Sequence, residues 1–137
     1  MAITSEYFFP SSDGKTLIHV NQWTPAGRDI VGVVQIAHGV AEYGARYEPF
    51  ARFLCANGFV VVANDHLGHG QSLIENAPMV YFGEEDGWRH VVDDIEERFR
   101  ASSPHSDWLK SRQFRSRYTL PIFRGDELSA FLFFDST

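Results

Sequence analysis

Two short motifs contain most of the residues in this chain that could take part in chemistry. His38-Gly39-Val40 follows one apolar run, and residues 65–72, Asp-His-Leu-Gly-His-Gly-Gln-Ser, follow another. Glycine permits a tight turn and a close approach of the backbone to a ligand. A backbone N–H in the first motif is therefore suited to face the oxyanion of an acyl group. Taken alone, His38 and Gly39 also fit a plain loop with an internally bonded histidine.

The second motif has two further interpretations, phosphate binding and metal binding. Gly68 and Gly70 bracket His69 in a loop that requires unusual backbone angles, but a lone Gly-x-Gly is a weak signal for a phosphate loop. Asp65, His66 and His69 have the side chains of metal ligands. Histidines three apart in a glycine loop seldom converge without a third fixed ligand, so we expect no metal ion here.

Both motifs follow strands of a predicted parallel sheet, in which functional loops gather at the carboxyl ends of the strands. Residues 31–37 and 59–63 are apolar runs without alternation, which is typical of strands covered on both faces. Between them, apolar residues from Tyr47 to Cys55 recur at spacings of three and four and predict a helix that stops at Asn57-Gly58. The three elements predict a right-handed βαβ unit.

The segments on either side of this unit are predicted to be an antiparallel strand pair and a second helix. Residues 4–9 and 16–23 have strand character around a Ser-Ser-Asp-Gly turn, and the second strand alternates as a half-exposed strand does. The helix is predicted from Glu84 to Arg100, and its apolar stripe comprises Trp88, Val91, Val92, Ile95 and Phe99.

The bulk properties are those of one globular α/β domain over residues 1–137. Hydrophobic residues make up 44% of the chain, and the net charge of −6 argues against nucleic acid as a partner. No run of roughly 20 apolar residues predicts a transmembrane helix, and the first residues lack the pattern of an export signal. Cys55 is the single cysteine, which fits a reducing compartment, so the expected location is the cytoplasm.

The two motifs together resemble a known family. Residues 38–51 and 65–72, at this separation and with these flanking strands, are similar to the monoacylglycerol lipase and lysophospholipase family, within the serine aminopeptidase-like group of α/β-hydrolases. The resemblance extends over residues 5–97. It implies the N-terminal part of that fold, with an antiparallel strand pair before a parallel βαβ unit. It also implies an ester substrate, a monoacyl lipid or a small ester, and no cofactor.

The resemblance implies roles for particular residues. The backbone N–H of Val40 would form one half of the oxyanion hole, and Gly39 would let that N–H point inward. The remaining motif residues would be structural and would brace the loop beside the site: His38, Asp65, His66, Gly68, His69, Gly70 and Ser72.

The chain departs from the family at the nucleophile. No Gly-x-Ser-x-Gly occurs in the sequence. Leu120-Pro121-Ile122-Phe123 matches the strand that precedes the nucleophile in the family, and a one-residue gap then places Glu127 on the nucleophile position. Glutamate has no hydroxyl to activate. Ser72 and Ser129 do not fit the glycine pattern either, so no catalytic residue is assigned.

Residues 98–137 are divergent from the family, and a shift of reading frame is one interpretation of them. The acidic excess up to Glu97 changes to a basic excess from Arg98, and residues 101–118 show no clear period. The return of Leu-Pro-Ile-Phe counts against the frame shift. We expect an N-terminal portion of a serine ester hydrolase, truncated before the catalytic half and inactive as it stands. The alternative is a non-catalytic module that binds or dimerises through an exposed sheet edge.

Overall fold

The computed structural model describes residues 1–101, 116–124 and 127–136, with side chains described up to residue 96. Six strands form one sheet in the order β1-β2-β4-β3-β6-β5. The elements are β1 (Ala2–Pro10), β2 (Leu17–Pro25), β3 (Gly32–His38), a short 3₁₀ helix (Gly44–Tyr47), α1 (Glu48–Ala56), β4 (Phe59–Asn64), α2 (Gly87–Ala101), β5 (Ser116–Arg124) and β6 (Glu127–Ser136).

The predicted βαβ unit is confirmed. β3 and β4 pair in parallel, with Val34 opposite Val61, and α1 connects them. Pro49 lies in the first turn of α1, where its missing N–H costs nothing. The core between α1 and the sheet consists of Trp23, Val34, Ile36, Ala51, Leu54, Cys55, Val61 and Ala63. This packing holds the carboxyl ends of β3 and β4 side by side.

The predicted antiparallel pair is also present, but the expected half-exposure of its second strand is wrong. β1 and β2 pair along their whole length, from Ala2 opposite Pro25 to Pro10 opposite Leu17. β2 is buried at most positions, including its polar residues His19, Asn21 and Gln22. The reason is that both faces of β2 are covered: Trp23 packs in the core with α1, and Val20, on the opposite face, packs in a second core with Val33, Val60 and Val62.

The second predicted helix is present as α2, which begins at Gly87 and not at Glu84. The residue before it, Asp86, has φ +51, which lies outside the right-handed helical region, so a helix cannot run through it from Glu84. The predicted apolar stripe is only partly buried, since Trp88 and Val92 are exposed. α2 instead buries Asp94, whose carboxylate accepts hydrogen bonds from Ser11 Oγ (2.7 Å) and the Ser12 N–H (2.6 Å). None of the helices in the part of the chain that the structure describes has the length and apolar character of a transmembrane span.

The C-terminal strands form an antiparallel pair that includes Glu127, the residue that the alignment placed on the nucleophile position. Leu120–Phe123 does lie in a strand, but β5 is an edge strand and pairs antiparallel with β6. Glu127 is the first residue of β6 and is paired with Arg124, in a β-hairpin and not in a strand-to-helix turn. Most of residues 101–118, for which no period was predicted, lies outside the described residues.

Candidate oxyanion turn and its supporting loop

The first motif forms an exposed turn at the carboxyl end of β3. His38 is buried as the last residue of the strand, whereas Val40 is 76% exposed. The next residue, Ala41, has φ +60, and the turn closes with the Glu42 N–H on the Gly39 carbonyl at 3.2 Å. Within the described residues, the Val40 N–H has no hydrogen-bond partner. The turn therefore presents one backbone donor for an external acceptor.

His38 links this turn to the second motif, and its partners fix its protonation state. The His66 N–H can only donate, so His38 Nε2 accepts it at 2.9 Å. The proton of the neutral ring is therefore on Nδ1, which donates to the Gly39 carbonyl at 2.8 Å. In return, His66 Nε2–H donates to the His38 carbonyl at 3.0 Å. The two loops are thus joined by reciprocal hydrogen bonds between neutral histidines.

The orientation of the Val40 N–H follows from these bonds. The Gly39 carbonyl and the Val40 N–H belong to one planar, trans peptide group and point in opposite directions. Two donors, His38 Nδ1 and the Glu42 N–H, hold that carbonyl. Because these two donors hold the carbonyl, they also set the direction of the Val40 N–H, which lies on the opposite side of the same peptide group.

Burial keeps these histidines neutral. It lowers the pKa of His66 to about 3, with a further contribution from nearby His38. Burial also lowers the pKa of His38, against the hydrogen bond to Gly39, which raises it. Two ring nitrogens, His66 Nδ1 and His69 Nε2, are buried without a partner among the described residues. Orphaned buried acceptors of this kind cost stability and are uncommon.

Asp65 organises the second motif. Its Oδ1 accepts the Gly44 N–H at 2.6 Å, and its Oδ2 accepts the Gln71 N–H at 2.9 Å and faces His19 Nδ1 at 3.0 Å. The side chain is 3% exposed. Hydrogen bonds to a buried carboxylate are stronger than neutral ones. Asp65 therefore ties β2 and the 3₁₀ helix to the loop that follows β4.

The Ser72 hydroxyl is held by backbone groups in this arrangement. Its hydroxyl donates to the Asp65 carbonyl at 2.8 Å and accepts the His19 N–H at 2.9 Å. The residue is completely buried. The hydroxyl proton is engaged by a backbone carbonyl and not by a base, so the geometry is not that of an activated nucleophile.

The glycines of the second motif are required by close backbone approaches. Gly68 has φ +78, and a Cβ there would overlap the carbonyl of Tyr81. Gly70 has φ +50, and a Cβ there would overlap the Asp65 carboxylate. The pattern is therefore explained by packing around Asp65 and Tyr81. Among the described residues, no group of three or more His, Cys, Asp or Glu side chains could hold a metal ion.

Two contributors were missed by the sequence analysis, His19 and Glu42. His19 is 46 residues from its partner Asp65, and its only signal was an ionisable side chain within a predicted strand. Glu42 lies within residues 38–51, which carry the family resemblance, and no role was predicted for it. Its Oε2 accepts the Gly39 N–H at 3.2 Å and the Tyr47 hydroxyl at 2.7 Å, and its Oε1 lies 3.3 Å from the Arg46 guanidinium.

The arrangement defines a class of protein. A mixed sheet with a parallel βαβ unit, a His-Gly turn after its first parallel strand and a glycine loop after its second is the N-terminal portion of an α/β-hydrolase fold. Residues 28–111, more than half of the chain, match the model of the family described as serine aminopeptidase, S33. The chain belongs to this family.

Known proteins support the same placement. The chain is 33% identical to human monoglyceride lipase over 113 residues, which are 82% of this chain and 31% of that protein. It is 43% identical to monoacylglycerol lipase of Mycolicibacterium smegmatis over 68 residues, 50% of this chain and 24% of that protein. A solved structure of a lipase in an open form matches with a TM-score of 0.61 and 28% identity over 73% of this chain and 33% of the other. The chain thus spans about a third or less of these relatives.

Proposed function

We propose that this chain forms the oxyanion-hole side of a serine carboxylic-ester hydrolase that acts on monoacyl lipids or small esters. The observation that carries the proposal is the turn at Val40. Its N–H is unpaired within the described residues, lies at the carboxyl end of a parallel strand and is oriented by two donors on the preceding carbonyl. One oxyanion-hole donor contributes about 3–4 kcal/mol to transition-state stabilisation in a complete site. The names of the relatives support the substrate class.

We propose further that the 137-residue chain hydrolyses no ester by itself, and that it works in the cytoplasm as one domain. Its sequence has no Gly-x-Ser-x-Gly, and Ser72 is buried and bonded to backbone groups. Among hydroxyl residues of β6, Ser129 is next to Ala130, which pairs with His38, so Ser129 is the serine to test. Cys55 is buried, and burial raises the pKa of its thiol, which supports an inert side chain.

The test is hydrolysis of p-nitrophenyl butyrate by the purified chain, by Ser129→Ala and by Ser72→Ala. All three proteins are expected to give rates equal to that of a blank without protein. Turnover above the blank that disappears in Ser129→Ala would contradict the proposal and identify a nucleophile. Turnover that survives both substitutions in repeated preparations would contradict it as well.

A second candidate is a non-catalytic module that associates with a second copy through a sheet edge. β1 pairs on one side only, along all nine residues, and it exposes four consecutive residues from Ile3 to Glu6. A long edge strand without lysine is a template for pairing. Sedimentation equilibrium distinguishes the candidates. Association that Ser5→Lys prevents supports the module, and a monomer at all concentrations contradicts it.

A further inference from the structure

We propose that Glu42 is a positioning residue that sets the direction of the Val40 N–H. The inference rests on the proposed role of that N–H. Glu42 touches neither the donor nor a substrate. It acts through Gly39, whose two backbone groups it holds with its own side chain and its own backbone.

The contacts of Glu42 converge on one residue of the turn. Its Oε2 accepts the Gly39 N–H at 3.2 Å, and its backbone N–H donates to the Gly39 carbonyl at 3.2 Å. Gly39 has no side chain to restrict its rotation, so its backbone direction depends on what holds these two groups. Fixing both groups of Gly39 fixes the plane of the peptide that carries the Val40 N–H.

Glu42 is itself anchored by the segment that leads into α1. The Tyr47 hydroxyl donates to Oε2 at 2.7 Å, and the Arg46 guanidinium lies 3.3 Å from Oε1. The side chain is 15% exposed, so it is held at the rim of the turn and not free in solvent. The charge of Arg46 also offsets the negative charge of Glu42, which would otherwise oppose an oxyanion on the same turn. The 3₁₀ helix, which contains Arg46 and Tyr47, therefore holds Glu42 in place against the turn.

The protonation of Glu42 makes the contact measurable. Burial raises the pKa of this carboxyl, but hydrogen bonds from Tyr47 and Gly39 and the charge of Arg46 outweigh it and leave the pKa below its usual value. The carboxylate is therefore present above that lowered pKa. As the pH falls through it, the acceptor for the Gly39 N–H is weakened.

The experiment is a pH titration of the full chain followed by amide NMR. The Gly39 amide proton is expected to titrate with the Glu42 carboxyl, at a midpoint below the usual value for glutamate. Glu42→Gln should abolish this titration. Glu48→Gln is the matched control, since Glu48 makes the same (i, i+4) pair with Arg52 on α1 but no contact with the turn. A Gly39 titration that persists in Glu42→Gln overturns the proposal.

Hydrogen exchange separates positioning from a general structural role. Glu42→Ala should raise exchange at the Gly39 amide by about tenfold, because it removes a charged acceptor, while β3 and β4 amides exchange as in the unmodified chain. Glu42→Gln retains an acceptor oxygen and should restore much of the protection. A uniform rise across the sheet, or no rise at Gly39, overturns the proposal. Neither readout needs ester turnover, so the hydrolysis assay tests the proposed function separately.

Discussion

Asp65 and Glu42 perform the same task in two neighbouring loops, and they differ in where they do it. Asp65 accepts two backbone N–H groups, those of Gly44 and Gln71, and Glu42 accepts one, that of Gly39. Asp65 is 3% exposed and faces a histidine, whereas Glu42 is 15% exposed and faces an arginine. A buried carboxylate cannot lose a partner without a large penalty, while a carboxylate at the rim can. The comparison separates a buried loop, which Asp65 organises, from a partly exposed turn, which Glu42 holds.

The largest expected effect is that of Asp65→Asn. The amide group can accept with one oxygen only, and its NH₂ would face a backbone donor or His19. We expect the free energy of unfolding in urea to fall by about 3–5 kcal/mol, as for other broken buried pairs. Glu42→Gln is the matched change at the rim and should cost about 1 kcal/mol or less. Equal decreases in the free energy of unfolding of the two variants would contradict the distinction between the buried loop and the partly exposed turn.

The next largest effect concerns the buried loop that Asp65 organises, and it is tested with two glycines that have similar backbone angles. Gly68 and Gly14 have φ +78 and φ +72, but only Gly68 has a backbone carbonyl, that of Tyr81, where a Cβ would lie. Gly14→Ala should cost about 1 kcal/mol from backbone strain alone. Gly68→Ala should cost about 2–4 kcal/mol because overlap with Tyr81 is added. Similar unfolding midpoints in urea would contradict the packing described for this loop.

The third effect is a dependence of stability on pH, and it arises from His66. The folded-state pKa of His66, about 3, lies below the ordinary value for histidine, so the unfolded chain binds more protons between these values. Stability is therefore lost as the pH falls. We expect a decrease of about 2 kcal/mol between pH 7 and pH 5 in urea denaturation.

The matched controls for this pH dependence are His66→Gln and His90→Gln. His66→Gln should flatten the dependence between pH 7 and pH 5. His90→Gln changes a half-buried histidine on α2, outside the two motifs, and is the matched histidine control. A dependence that is the same in both variants would place its origin in another group.

The sequence predicted the parts of the fold that local pattern encodes. The apolar runs and the stripe from Tyr47 to Cys55 were enough for the βαβ unit, because burial on both faces of a strand leaves a continuous apolar run. The positions of both motifs at the carboxyl ends of β3 and β4 followed from the order of the elements. The same pattern could not reveal the pairing of His19 with Asp65, which is set by register between distant strands.

Strand direction was the part that pattern could not encode. Leu120–Phe123 has the composition of a strand whether it pairs in parallel or antiparallel, and the structure pairs it antiparallel with β6. Burial on α2 was missed for a related reason. Trp88 and Val92 fit an apolar stripe, yet the helix buries Asp94, which finds hydrogen-bond donors in Ser11 and Ser12.

The central proposal is that the turn at Val40 is the oxyanion turn of the family and that the chain has no nucleophile. The most direct measurement is the intact mass of the purified chain after incubation with a fluorophosphonate, which forms a covalent bond with activated serines. We predict an unchanged mass, with a serine hydrolase labelled in the same mixture as the positive control. Stoichiometric labelling of one serine in this chain would contradict the claim and would locate the nucleophile.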